Sequence, residues 1–218
     1  DGSTPDWIEI WNPNPVAIDL AGYGLTDDPE QPARYLFPST LLGADRYLII
    51  DAAALPLDDV PATGFKLNKS ADSYLALLDR AGQVLQSFLY PRQREDISFG
   101  MDWNGEARFF LQPTPGATGV AGSVEGFVAD TQFSVDRGFY DDPQTVIISS
   151  ETPASTIYTT TDGSEPSLEN PTASVYTEPI MIATTTVLRA AAFRDGYLPT
   201  DVDTQTYIFP HRSETPPA

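Results

Sequence analysis

The sequence predicts an all-β chain folded as two tandem β-sandwiches. Short runs of β-branched and aromatic residues recur along its 218 positions. The chain carries 15 Gly and 20 Pro, and these break the runs at roughly ten-residue intervals, the spacing of turns in an all-β fold. No stretch keeps apolar residues at i, i+3, i+4 and i+7 between helix caps. Ala52-Ala53-Ala54-Leu55 suffices for one turn only. An apolar fraction of 41% is slightly under the usual ~45–50% and still fills packed cores.

The first strand is expected over residues 6–11, where Ile8 and Ile10 alternate with Trp7, Glu9 and Trp11. Asn12-Pro13-Asn14-Pro15 turns the chain, because Pro fixes φ and Asn tolerates the left-handed region. Further strands are expected over 16–20, 23–26, 34–37, 46–51, 65–67, 73–79, 84–90, 97–99 and 108–111. Asp79-Arg80-Ala81-Gly82 reads as a hairpin turn with Gly in the left-handed position. Pro113-Thr114-Pro115-Gly116 closes this set, and Ala121-Gly122-Ser123 is linker-like. A second set follows over 132–135, 145–149, 156–160, 179–182, 186–193 and 204–209. Its Thr and Val content suits half-buried pleated surfaces. The expected organisation is a domain over 1–119, a linker over 120–131, a domain over 132–209 and a tail over 210–218.

Net charge is −19. Residues 1–119 hold 17 acidic against 8 basic side chains, and residues 120–218 hold 14 against 4. The acidity is therefore even along the chain. Nucleic acid and anionic membranes are excluded as partners, since both require clustered Lys and Arg, and Lys66 and Lys69 are the only lysines. Absence of cysteine removes disulfides, thiolate metal sites and Cys nucleophiles. No apolar run reaches transmembrane length, so membrane insertion is not expected. The abrupt start at Asp1-Gly2-Ser3-Thr4-Pro5 predicts a piece cut from a longer exported parent.

Asp6-Trp7-Ile8-Glu9-Ile10 with Asn12, and Asp19-Leu20-Ala21-Gly22-Tyr23-Gly24-Leu25-Thr26-Asp27-Asp28-Pro29, make the first half resemble the lamin-tail domain. The ordered series continues through Phe65-Lys66-Leu67-Asn68, Leu75-Ala76-Leu77-Leu78-Asp79 and Gly82-Gln83-Val84. Pro91-Arg92-Gln93-Arg94, Asp96, Ser98, Gly100 and Pro113-Thr114-Pro115-Gly116-Ala117 complete it. The resemblance implies an immunoglobulin-like sandwich found in bacterial secreted proteins. Two departures stand out: relatives carry a strand ahead of the Asp-Trp-Ile-Glu segment, and often a basic residue where this chain has Met101. A missing strand would leave an edge open to pairing, so an edge-mediated homodimer is an expectation.

Gly138-Phe139-Tyr140, Pro143, Thr145-Val146, Thr152-Pro153, Ile157-Tyr158-Thr159-Thr160 and Asp162-Gly163-Ser164-Glu165-Pro166 point to a second family. With Val175-Tyr176-Thr177, Pro179-Ile180, Thr185-Thr186-Val187-Leu188-Arg189-Ala190, Ala192-Phe193 and Gly196-Tyr197, residues 133–209 resemble the C-terminal domain of chitobiase and β-hexosaminidase. That resemblance implies a small fibronectin type III-like sandwich that is not the catalytic part of those enzymes. It also implies a setting in large bacterial surface proteins, adjoining lamin-tail-like modules and a kinase-like or hydrolase domain.

Reactive constellations are sparse. The only histidine, His211, sits in the tail, which removes Ser-His chemistry. The paired acids Asp27-Asp28, Asp58-Asp59 and Asp141-Asp142 lie beside or near Pro in loops, where turn geometry selects Asp anyway. If a cation binds, calcium is the one such loops would take, with Asp27 and Asp28 in one loop and Asp162 with Glu165 in another. Asp201 and Asp203 alternate along a strand and share a face. Sugar binding would use exposed aromatics beside polar groups. Trp11 lies opposite in parity to Ile8 and Ile10, and Trp103 stands in the loop Asp102-Trp103-Asn104-Gly105, so these two are the ligand-contact candidates. The reading is a non-enzymatic binding or spacing segment of a secreted or cell-surface bacterial protein. Its protein or glycan ligand goes unnamed. A carbohydrate-binding module is the alternative, and a metal-assisted hydrolase the second.

Overall fold

The computed structural model describes residues 6–32, 34–54, 60–68, 72–117 and 122–210. No helix forms among them; the chain is all-β. It divides into two compact units, Asp1–Ser123 and Val124–Ala218.

The first unit opens with β1 (Trp7–Trp11), β2 (Ile18–Asp19), β3 (Gly24–Thr26), β4 (Tyr35–Leu36) and β5 (Leu41–Leu42). It continues with β6 (Tyr47–Asp51), β7 (Ser73–Leu78), β8 (Val84–Tyr90), β9 (Ser98–Met101) and β10 (Ala107–Phe110), and β11 (Ser123–Val124) falls at the division. Strands β4-β3-β7-β8 form a four-stranded sheet, β1 pairs with β6, β2 with β5, and β9 and β10 join with β11. Every pairing with a recorded register in this unit is antiparallel. The core is built from Ile8, Leu20, Leu25, Phe37, Leu42, Ile50, Ala52 and Phe65. Alternation along β1 works as expected: Ile8 is buried, while Trp11 faces outward.

The turn after β7 shows how local chemistry ends a strand. The Asp79 carboxylate accepts the backbone N–H groups of Ala81 and Gln83. Gly82 then adopts a φ of 78°, a value that a side chain would penalise. The strand it launches, β8, is the outer strand of its sheet and exposes Val84, Leu85 and Leu89.

The second unit holds β12 (Gly126–Phe127), β13 (Gln132–Phe133), β14 (Gly138–Phe139), β15 (Gln144–Val146), β16 (Ile148–Ser149) and β17 (Thr156–Thr160). It ends with β18 (Ser174–Val175), β19 (Ile180–Ile182), β20 (Thr186–Phe193), β21 (Tyr197–Leu198) and β22 (Asp203–Ile208). A five-stranded sheet in the order β14-β22-β20-β17-β18 faces the small pairs β15-β19 and β13-β16 through a shared core. In β20, Leu188, Ala190 and Ala192 share one face by period-2 geometry and are buried, and Ala191 on the other face is buried as well. Tyr207 is likewise fully buried and donates its hydroxyl to the Val135 carbonyl at 2.8 Å, which satisfies the polar end of a core aromatic.

Two expected strands differ. Residues 65–67 form none, although Phe65 is buried. The Thr63 hydroxyl meets both the N–H and the carbonyl of Phe65, so that backbone is satisfied without a neighbouring strand. The run 145–149 splits at Ile147, with β15 pairing to β19 and β16 to β13. Ile147 points to solvent while Val146 and Ile148 are buried, and the change of partner lets one segment serve both small pairs. The expected tail beyond Pro210, His211 included, and Asp58-Asp59 and Lys69 lie outside the described residues.

Removing core volume is expected to destabilise both units. Ile50→Ala and Leu188→Ala, both at sites with no exposed surface, should each cost about 2–5 kcal/mol. Urea unfolding of the variants measures this, and a loss below about 1 kcal/mol would contradict the assigned cores.

Candidate functional site

Two surface features of the first unit gather polar or aromatic chemistry. The first is aromatic. Trp11 closes β1 and Tyr47 opens β6, and the two face each other in register. Their rings lie stacked, 6.2 Å apart and 16° from parallel. Asn12 fixes the chain immediately beyond. It is buried, and its backbone N–H and carbonyl bond to the Arg46 carbonyl and the Asp45 N–H. Its side-chain amide reaches the carbonyls of Val16, Leu42 and Gly43 at 2.9–3.1 Å, and its oxygen accepts the Asn14 N–H. This lattice holds Asp45 at a φ of 52°. There the Asp45 carboxylate accepts the Trp11 indole N–H at 3.0 Å.

Trp103 comes from the β9–β10 turn. The Asp102 carboxylate accepts the N–H groups of Asn104 and Glu106 at 2.8 and 2.9 Å. The Arg108 guanidinium stands 3.6 Å from its other oxygen. These hydrogen bonds, with that to the Glu106 N–H the largest, hold the Asp102 carboxyl below its usual range. The Trp103 ring meets Trp11 edge-on, with centroids 5.4 Å apart and planes at 86°. It nevertheless leaves 65% of its surface in solvent, and Trp11 leaves 38%. The structure thus brings the two aromatic candidates together and adds Tyr47 and Asp45, which carried no signal in the sequence.

The second feature is a polar recess of about 290 Å³ lined by Asp27, Asn68, Asp72, Ser73, Tyr74 and Tyr90. The Tyr90 hydroxyl accepts the Asn68 N–H at 3.2 Å. Burial, chiefly, and the nearby carboxylates of Asp27 and Asp6 push its pKa up. Asp27 itself is ion-paired with Arg34.

Three of the four carboxylates considered for a cation, Asp27, Asp28 and Asp162, have partners within their own loops. Asp28 accepts from the Glu30 N–H and the Gln31 side chain at 2.9 and 2.7 Å, shaping its own turn. Asp162 accepts both the N–H and the hydroxyl of Ser164. Glu165 is exposed, and its backbone carbonyl, not its carboxylate, takes the Asn170 amide. Among the described residues, no three His, Cys, Asp or Glu side chains cluster. Asp203 accepts the Thr131 hydroxyl, so this acid serves the sheet of the second unit.

Comparison with known families gives one finding. Residues 135–204 match the family model of the chitobiase/beta-hexosaminidase C-terminal domain. The matched stretch runs from just before β14 into β22, within the all-β second unit. No curated protein and no solved structure matches the chain. The lamin-tail likeness of the first unit rests on its sequence motifs.

The Ser164 hydroxyl and N–H, together with the Thr172 hydroxyl, draw the Asp162 carboxyl down from 3.8 to about 2. A carboxyl lowered on folding adds stability that is complete above its unfolded pKa and is lost as pH falls through the folded one. The loop should therefore hold at pH 4 and loosen on acidification toward 2. NMR titration of the Asp162 carboxyl should show the depressed midpoint and Asp162→Asn should remove this pH response; a midpoint near 3.8 would refute the assignment.

Proposed function

We propose that this chain is a non-catalytic binding and spacing segment of a larger secreted or cell-surface bacterial protein. Its first unit is a lamin-tail-like module, and its parent carries the activity in a neighbouring kinase-like or hydrolase domain. The match of residues 135–204 to a C-terminal accessory domain is the observation that carries the reading. The placement of the acids supports it. Asp28, Asp79, Asp102 and Asp162 use their oxygens to cap turns, and Asp27 and Asp102 are further held by arginines. General acid–base work needs paired groups whose environments separate their pKa values around a shared substrate position, and these five carboxylates are engaged in local architecture instead. The even acidity suits a partner that is neutral or cationic.

Loops and sheet edges are the contact surfaces in this reading. Strand β8 contains no charged residue, and a charge-free outer strand invites pairing with a second copy. Light scattering at rising concentration should show dimers that Leu89→Lys disperses; a strictly monomeric chain would remove edge pairing.

The purified chain should give no turnover on phosphoester or glycoside substrates with magnesium or calcium present, and EDTA should leave its melting temperature unchanged. Turnover above a buffer blank, abolished by EDTA, would replace this reading with a metal-assisted hydrolase.

A further inference from the structure

We propose that Trp11, Tyr47 and Trp103 form a binding platform for a neutral oligosaccharide. This deepens the reading of the chain as a binding segment by naming the class of ligand and the side chains that take it.

Three elements far apart in sequence converge on one small surface: the end of β1, the start of β6 and the tip of the β9–β10 turn. A Trp that served only as a latch would lose most of its surface to the contact. Trp103 keeps 65% of its surface exposed after packing on Trp11. The two indole planes meet at 86°, so they offer a corner rather than a flat wall. A pyranose ring has an apolar face of C–H groups and a rim of hydroxyls. Its face fits against one indole while its hydroxyls turn toward the acceptors beside it. Asp45 supplies such an acceptor. It holds the Trp11 N–H, and an ionised carboxylate has room for several further donors.

The platform is pre-organised. Buried Asn12 ties together the loop that carries Asp45, and Asp102 pins the turn that carries Trp103. Aromatic side chains on locked elements lose little freedom on binding. Charge selects the ligand. Asp45, Asp102 and Glu106 are on or next to the elements that bear the rings, against the basic Arg46 and Arg108, and the Arg108 guanidinium is engaged by Asp102 and Glu106. A uronate or sulfated glycan would meet repulsion there. The carboxylates weigh against a protein partner: the centres of stable protein interfaces, though rich in Trp and Tyr, are depleted in Asp and Glu, and these rings stand beside Asp45 and Asp102.

Calorimetry and tryptophan fluorescence on the whole chain test the proposal, using cellohexaose, xylohexaose, maltohexaose and a β-1,3-glucan hexaose against polygalacturonate. At least one neutral hexaose should bind saturably and shift the fluorescence, and polygalacturonate should not. Trp103→Ala should weaken binding about tenfold or more with an unchanged circular dichroism spectrum, while Trp103→Phe should keep most of the affinity. Flat titrations with all four neutral sugars overturn the platform, as does binding that ignores both Trp103 variants or favours polygalacturonate. A flat titration leaves the non-catalytic reading standing; turnover of these sugars would sink that reading instead.

Discussion

The buried side chain of Asn12 is the constraint on which the first unit depends. One residue ends β1, reaches the carbonyls of Val16, Leu42 and Gly43, and exchanges backbone hydrogen bonds with Asp45 and Arg46. Three separate segments are thereby held at one point. A buried amide is tolerated only when its hydrogen bonds are made, and leaving one partner unpaired costs about 1–3 kcal/mol. The geometry is accordingly narrow: Asp45 must accept a left-handed φ of 52°, and it gains the Trp11 N–H by doing so. What reaches the surface as an aromatic corner is set from below by this polar anchor.

The second unit solves a different packing problem. Its central strand β20 presents Leu188, Ala190 and Ala192 inward. They share one core with Tyr207 of β22 and with Val146 and Ile148 at either side of Ile147. The break at Ile147 keeps Val146 and Ile148 both buried while their strands pair with different neighbours. Packing density thus decides where the strand changes partner, at the position whose side chain goes to solvent.

Thirty-one acidic side chains against twelve basic ones would suggest a surface crowded with repulsion. The structure shows where much of that charge does local work. Asp19, Asp28, Asp79, Asp102 and Asp162 each accept backbone N–H groups in turns. For Asp19, Asp102 and Asp162 the nearby N–H and hydroxyl donors lower the pKa. Short loops between many strands create many such turns. In this fold, acidity is as much a turn device as a surface property.

Local chemistry made part of this legible from residues alone. Asp79 with Gly82 marks a hairpin in any context, because the turn needs a side-chain acceptor and a left-handed glycine within four positions. The long strands β17 and β20 follow from the Thr and Val content of that half. Two-residue strands such as β5, β12 and β18 show no period at all, since they exist only where a neighbour supplies hydrogen bonds. The site divides the same way. Trp11 and Trp103 stand out individually as aromatics at a strand end and a loop tip, but nothing in the sequence places one against the other or puts Tyr47 and Asp45 beside them. Parity along a strand fixes which side chains share a face; which strand lies alongside, and in what register, is settled only when distant segments close over a common core.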